Sequence, residues 1–173
     1  IMDGLISSGT YIPMLKAGRL EGMLSTADGA AKEAHPGKRL RRVCELNVSI
    51  SADHERALDF PRRQVAHSIL QWEALGFTPE EYAKMGVARE QVLKLKEAFQ
   101  SGATVEQAAT LVSDHMVRCY YAAGKPEEVR DQIIELVDAA GKLGYDHVAF
   151  AKLGPDYDEA IELLADQVVP ALR

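Results

Sequence analysis

Between Val43 and Ile50 apolar and polar residues alternate, with Cys44, Leu46, Val48 and Ile50 on one side and Glu45, Asn47 and Ser49 on the other. That two-residue period predicts a strand. On either side of it the apolar spacing changes to that of a helix. Ile12, Leu15, Leu20, Met23, Leu24 and Ala27 predict helix over 11–34, broken near Gly18 and stopped by His35-Pro36-Gly37. Ser51-Ala52-Asp53 then offers a cap for a long helix carrying Ala57, Leu58, Val65, Ala66 and Ile69, which Pro61 interrupts or kinks. Pro126 opens another helix, whose first turn places Glu127 and Glu128 at the positive end of the helix dipole. Ile133, Leu136, Val137, Ala140 and Leu143 form its apolar stripe, and Gly141 or Gly144 ends it before the short apolar run Val148-Ala149-Phe150-Ala151. Leu5-Ile6 predicts a short opening strand. Residues 158–172 predict a terminal helix that buries Ile161, Leu164, Ala165, Val168 and Val169.

Strands alternating with helices imply an α/β fold with a parallel sheet covered by helices. The three strands at Leu5-Ile6, Val43–Ile50 and Val148–Ala151 are expected to lie parallel in one sheet, with Glu45, Asn47 and Ser49 on the face opposite the helices. In a closed barrel that polar row faces the interior, and its carboxyl-terminal members reach a ligand pocket. Residues 76–123 carry no strand signal. Helix starts at Thr78-Pro79, Ala88-Arg89 and Thr104-Val105, and a further helix from Val112 to Gly124, make this stretch a helical insertion in a single domain spanning 1–173.

Composition narrows the class. Of 173 residues, 47% are hydrophobic and 27% charged, which excludes disordered and collagen-like chains and suits one domain with a sizeable core. A formal charge of -6 argues against a nucleic-acid binder driven by backbone phosphates. The basic run Lys38-Arg39-Leu40-Arg41-Arg42 reads instead as a solvated loop or helix end. Cys44 and Cys119 lie far apart, in neither disulfide-framework nor zinc spacing, consistent with the cytoplasm. No apolar run approaches the roughly 18 residues of a membrane span, and no signal-peptide pattern is present. A chain opening at Ile1 within an apolar segment is expected to be a piece of a longer one.

Candidate pocket residues follow from position. Ser7 and Ser8 come directly after the first strand, where the active-site loops of barrels emerge, although Ser-Ser-Gly is also a common turn. Glu45, Asn47 and Ser49 line the expected interior; a carboxylate there is costly unless it serves a ligand or pairs with a cation such as Arg42. His67 and His115 lack a second ligand at metal spacing and read as surface or packing residues, so no metal is expected. There is no GxGxxG or P-loop pattern and no nucleophile–base set, so catalytic residues stay unassigned.

The ordered motifs identify a likeness. Asp3-Gly4 in an opening strand, Asp53-His54-Glu55-Arg56-Ala57-Leu58 after the alternating strand, Val112-Ser113-Asp114, Gly124-Lys125-Pro126-Glu127-Glu128-Val129, Gly144-Tyr145-Asp146-His147-Val148, Gly154-Pro155 and Val169-Pro170 together resemble the luciferase-like monooxygenase superfamily. Within it, the branch of methylene-tetrahydromethanopterin reductases that use the deazaflavin coenzyme F420 is most similar. The resemblance covers nearly the whole chain and implies the carboxyl-terminal portion of a (β/α)8 TIM-type barrel. A full barrel of this kind needs about 250 residues. The implied parent is an F420- or FMN-dependent oxidoreductase exchanging hydride with a small carbon substrate. The chain alone is then expected to be inactive, to bind neither cofactor tightly, and to form a homo-oligomer that covers its open sheet edges. The other reading is a non-catalytic α/β domain whose helical excursion binds a partner or drives oligomerisation.

Overall fold

A computed structural model describes residues 4–172; Ile1, Met2, Asp3 and Arg173 lie outside them. The elements run β1 (Gly4–Ser7), α1 (Tyr11–Ala17), α2 (Leu20–Ala34), β2 (Arg41–Ile50), α3 (His54–Ser68), α4 (Gln71–Ala74), α5 (Pro79–Met85), α6 (Arg89–Gln100), α7 (Val105–Ala109), α8 (Asp114–Val117), β3 (Tyr121–Gly124), α9 (Pro126–Lys142), β4 (His147–Gly154) and α10 (Tyr157–Leu163). Beyond α10 the chain continues through a π turn to Val168 and a 3-10 turn to Leu172.

All strand pairs are parallel. Val43 and Cys44 pair with both β1 and β4, while Asn47 and Ser49 pair with both β3 and β4. A strand has only two edges, so β4 occupies one edge of β2 while β1 and β3 share the other, end to end. The expected three strands are therefore joined by a fourth. β3 falls partly inside the stretch read as all-helical, and the helix expected from Val112 to Gly124 shrinks to the single turn α8. Tyr-Ala-Ala-Gly carries little intrinsic strand preference. What makes it a strand is the free edge of β2 beside it, together with Gln132 of α9 on its other side. That side chain accepts from the Ala123 N–H at 3.3 Å and donates to the Ala123 carbonyl at 3.1 Å, covering the outer edge of β3.

The break near Gly18 is present: Gly18 has φ 78° and its N–H bonds the Leu15 carbonyl, while the Arg19 N–H bonds the Met14 carbonyl. This left-handed closure ends α1 and lets α2 start in a new direction. Pro61, in contrast, does not break its helix. Lacking an N–H, it leaves the Ala57 carbonyl one turn earlier without its helical donor. The Ser49 hydroxyl fills that vacancy at 2.6 Å, so a strand residue makes the proline tolerable. The terminal helix is rotated relative to expectation. Ala160, Leu164 and Val168 are buried, whereas Ile161 and Val169 are 42% and 38% exposed.

Two faces of the sheet differ. Cys44, Leu46, Val48 and Ile50 are fully buried on the side where Tyr11 packs edge-on against Tyr145 and donates to the Leu136 carbonyl of α9. The opposite face carries Ile6, Val43, Glu45 and Ala149, in register across β1, β2 and β4, and Ile6 is 64% exposed. This face is bare at the amino ends of the strands. At the carboxyl ends α3 crosses it, because Tyr121, in register with Asn47, donates to Gln64 at 2.5 Å and Ser49 reaches Ala57.

The helices of 71–117 are tied down by Arg19. Its guanidinium donates to both carboxylate oxygens of Glu81 (2.5 and 2.7 Å), to the Leu75 carbonyl (2.8 Å) and to the Gly76 carbonyl (2.7 Å), and lies 4.2 Å from the Phe77 ring centroid. Phe77 stacks on Trp72, which stacks on Tyr120. The basic run before β2 is likewise occupied structurally. Arg39 bonds Asp146 and the Gly144 carbonyl, and Arg42 bonds the Leu143 carbonyl and Asp28, so these cations close the carboxyl end of α9.

Candidate functional site at the carboxyl ends of the strands

Chain segments leaving the carboxyl ends of β1, β2, β3 and β4 converge on one rim, the position at which parallel α/β sheets hold ligands. The rim is built by reciprocal capping. Ser51, following β2, donates to Glu159 of α10 at 2.8 Å, and the other oxygen of Glu159 accepts from Arg56 of α3 at 3.2 Å. Asp53 caps α3 through the Arg56 N–H at 3.2 Å, and Asp156 caps α10 through the N–H groups of Asp158 and Glu159 at 3.1 Å each. Between α3 and the Gly154-Pro155 turn lies an open groove of about 720 Å³, bordered by Asp53, Arg56, Asp59, Phe60, Arg63 and Pro155.

Glu128 is the second hub. Its carboxylate accepts from the Lys125 N–H at 2.9 Å, from His54 Nδ1 at 2.8 Å and from Arg118 at 2.8 Å, joining the ends of α8 and β3 to the start of α3. A carboxylate only accepts, so Nδ1 is the donor in this contact. Partial burial pushes the Glu128 carboxyl up, but the Lys125 amide, His54 and Arg118 outweigh it and hold it below the usual range. Gly124 makes room for this: φ is 140°, and a Cβ there would stand 2.5 Å from the Glu128 carboxylate.

The residues singled out from the sequence have divergent fates. Ser7 faces the helix-covered side and shares a 2.6 Å hydrogen bond with the Tyr145 hydroxyl. Ser8 is exposed on the loop after β1. Asn47 is 2% exposed and donates to the Tyr120 carbonyl at 3.1 Å, with Oδ1 lacking a partner among the described residues. Ser49 is buried and committed to Ala57. Glu45 is half-buried on the bare face; Arg42, offered above as its counter-ion, pairs with Asp28 instead. His67 stacks on Phe99 and His115 bonds the Met85 carbonyl. Burial pushes both cysteine thiols up to about 11, which removes them as nucleophiles near neutrality. His54, Arg56, Glu128 and Glu159 escaped the sequence reading as a group, because residues 105 positions apart carry no shared period.

The rim therefore gathers polar side chains at the carboxyl end of an open parallel sheet, and both thiols among the described residues are buried. That arrangement defines an α/β protein of the open parallel-sheet class. Residues 10–151 match the luciferase-like monooxygenase family, and the chain belongs to it. It is 25% identical over 149 residues to a 5,10-methylenetetrahydromethanopterin reductase from Archaeoglobus fulgidus, covering 84% of this chain and 42% of the relative. It is 29% identical over 175 residues to an F420-dependent glucose-6-phosphate dehydrogenase from Nakamurella multipartita, covering 100% and 43%. The solved coenzyme F420-dependent tetrahydromethanopterin reductase from Methanopyrus kandleri superposes with a TM-score of 0.72 at 25% identity, covering 100% of this chain and 46% of that structure. The chain spans less than half the length of these relatives. No helix among the described residues is long and apolar enough to cross a membrane.

Proposed function

We propose that the functional protein is a barrel oxidoreductase that moves a hydride between coenzyme F420 and a small carbon substrate, with FMN as the alternative carrier. These residues form the carboxyl-terminal portion of that barrel, with the helices between Gly76 and Val117 as its insertion and β3 returning the chain to the sheet. One observation carries the reading: the solved reductase superposes on the entire chain, while the sheet face bearing Ile6 stands bare at the amino ends of the strands, where further strands would complete the interior. The deazaflavin, when bound, supplies the hydride chemistry. The residues present fit such a group in part. Ile6, Ala149 and Ala151 offer small apolar surface for a planar ring, and Ser8 and Glu45 offer polar groups beside it. Ser7 and Ser49 are bonded internally through their hydroxyls and Asn47 through its amide nitrogen, so these residues hold the backbone that shapes the rim.

Loops from about three of eight strand positions do not make a complete cofactor site. The chain alone therefore binds neither F420 nor FMN tightly, and it self-associates through its open edges and bare face. Absorbance of deazaflavin bound by the full-length protein tests the activity reading; absence of any bound or bindable deazaflavin or flavin refutes it. Submicromolar binding of either cofactor by the isolated chain, or a compact monomer in sedimentation at micromolar concentration, refutes the incompleteness of the barrel.

A further inference from the structure

On the helix-covered side of the sheet, α1 and α9 leave a cleft of about 330 Å³ beside the outer edge of β3, a volume suited to a small ligand. Ile12 and Leu15 of α1 form one wall, and Leu136 and Ala139 of α9 the other. Between the walls lies main chain. The Gly124 carbonyl is turned to β2, where it accepts from the Ser51 N–H at 3.4 Å, whereas Ala123 turns its N–H and carbonyl outward to Gln132. Main-chain groups change sides from one strand residue to the next, so Tyr121, two residues before Ala123, also turns its N–H and carbonyl outward, into the cleft it lines. Its side chain is engaged on the opposite face by Gln64. Gln132 is committed to Ala123 and to the Glu128 carbonyl, and neither outward group of Tyr121 has a partner among the described residues. Tyr121 is only 2% exposed, a depth at which main-chain donors and acceptors are almost always bonded.

A donor and an acceptor side by side between aliphatic walls match the edge of a planar base that carries an acceptor next to an N–H, as adenine does at N1 and N6 and guanine at O6 and N1. The charged groups of the lining suit the rest of such a ligand. Lys16 on the α1 side and Glu135 on the α9 side are exposed, and neither makes a hydrogen bond or ion pair among the described residues. A carboxylate accepts from ribose hydroxyls, and a lysine ammonium is a compact partner for phosphate. Arg118, held by Glu128 at 2.8 Å, adds positive potential on the same side as β3. We propose that this cleft binds a purine nucleotide, with the base on the Tyr121 main chain, the ribose at Glu135 and the phosphate at Lys16. The site lies away from the rim, and all its groups come from this chain, so it is independent of the proposed function.

Calorimetric titration of the full-length protein with AMP and with GMP, repeated in excess FMN, tests it, together with amide hydrogen exchange by NMR. At least one of the two nucleotides is expected to bind saturably, one per chain, and to stay bound when FMN is added. The Tyr121 amide, exchanging faster than those of Ala122 and Ala123 in the free protein, slows about tenfold or more on binding. Ala139→Trp fills the cleft and weakens binding about tenfold or more. Lys16→Met and Glu135→Gln, at exposed positions that leave the thermal midpoint in place, weaken it about fivefold and about threefold; these two decide the matter if the tryptophan variant does not fold. Adenosine and guanosine bind more weakly than their nucleotides and do not respond to Lys16→Met. Absence of saturable binding by either nucleotide, displacement by FMN, unchanged affinity in the folded Ala139→Trp or in both exposed variants, or a Tyr121 amide as protected as Ala122 without ligand overturns the assignment. Because FMN addresses the rim, its failure to bind there leaves the nucleotide result standing, and an empty cleft leaves the hydride-transfer reading intact.

Discussion

Replacing Arg19 with alanine removes the clamp between the α1–α2 corner and the helices that follow Trp72. Arg19 and Glu81 side chains are 26% and 16% exposed, so their bidentate pair is more than a surface ion pair and less than a buried one. We assign it about 1–2 kcal/mol. The guanidinium on Phe77 adds about 0.5–1 kcal/mol, and the Leu75 and Gly76 carbonyls, left open to water, add little. The total loss is about 1.5–3 kcal/mol, or a fall in Tm of roughly 3–12 °C for a chain of this size. Arg19→Lys recovers less than half, because a point charge does not reproduce the four-bond fork. Urea unfolding followed by far-UV circular dichroism and by the fluorescence of Trp72, the single tryptophan, measures both variants. The contribution also depends on pH. Arg19 and the Thr78 amide hold the Glu81 carboxyl down at about 2. A depressed carboxyl stabilises fully above its ordinary value near 4.3 and loses that contribution as pH falls toward 2. The gap between wild type and Arg19→Ala is therefore constant above about pH 5 and narrows below it. A loss under about 0.5 kcal/mol, or a gap that does not narrow in acid, refutes the clamp.

Other outcomes follow from the same geometry. Gly124→Ala forces a Cβ into the Glu128 carboxylate at a backbone angle closed to alanine, and costs about 2–3 kcal/mol in chemical denaturation; a loss under 1 kcal/mol shows that Glu128 moves aside freely. Gln132→Ala exposes the edge of β3, so hydrogen exchange at Ala123 accelerates and stability drops about 1–2 kcal/mol; unchanged exchange removes Gln132 from the edge. Cys44 and Cys119, both fully buried, react with a disulfide reagent at pH 8 only at the rate of unfolding, and rapid stoichiometric labelling in native buffer contradicts their placement.

Periodicity determined much of this protein without a structure. The alternation from Cys44 to Ile50 set which face of β2 joins the apolar core, and the break at Gly18 and the opening of α9 at Pro126 were local matters of backbone conformation and dipole. Such features are legible because each depends on residues within a turn or two of one another. Other features needed partners far along the chain. β3 is a strand because β2 offered an edge and Gln132 covered the other side, against the propensity of Tyr-Ala-Ala-Gly. α3 continues through Pro61 because Ser49 supplies the missing donor. Asn47 and Ser49, spaced as pocket residues, became supports once α3 folded over them. Spacing specifies which side of an element a residue occupies. What covers that side depends on the tertiary contacts, because hydrogen-bond satisfaction is settled between segments and leaves no period in either.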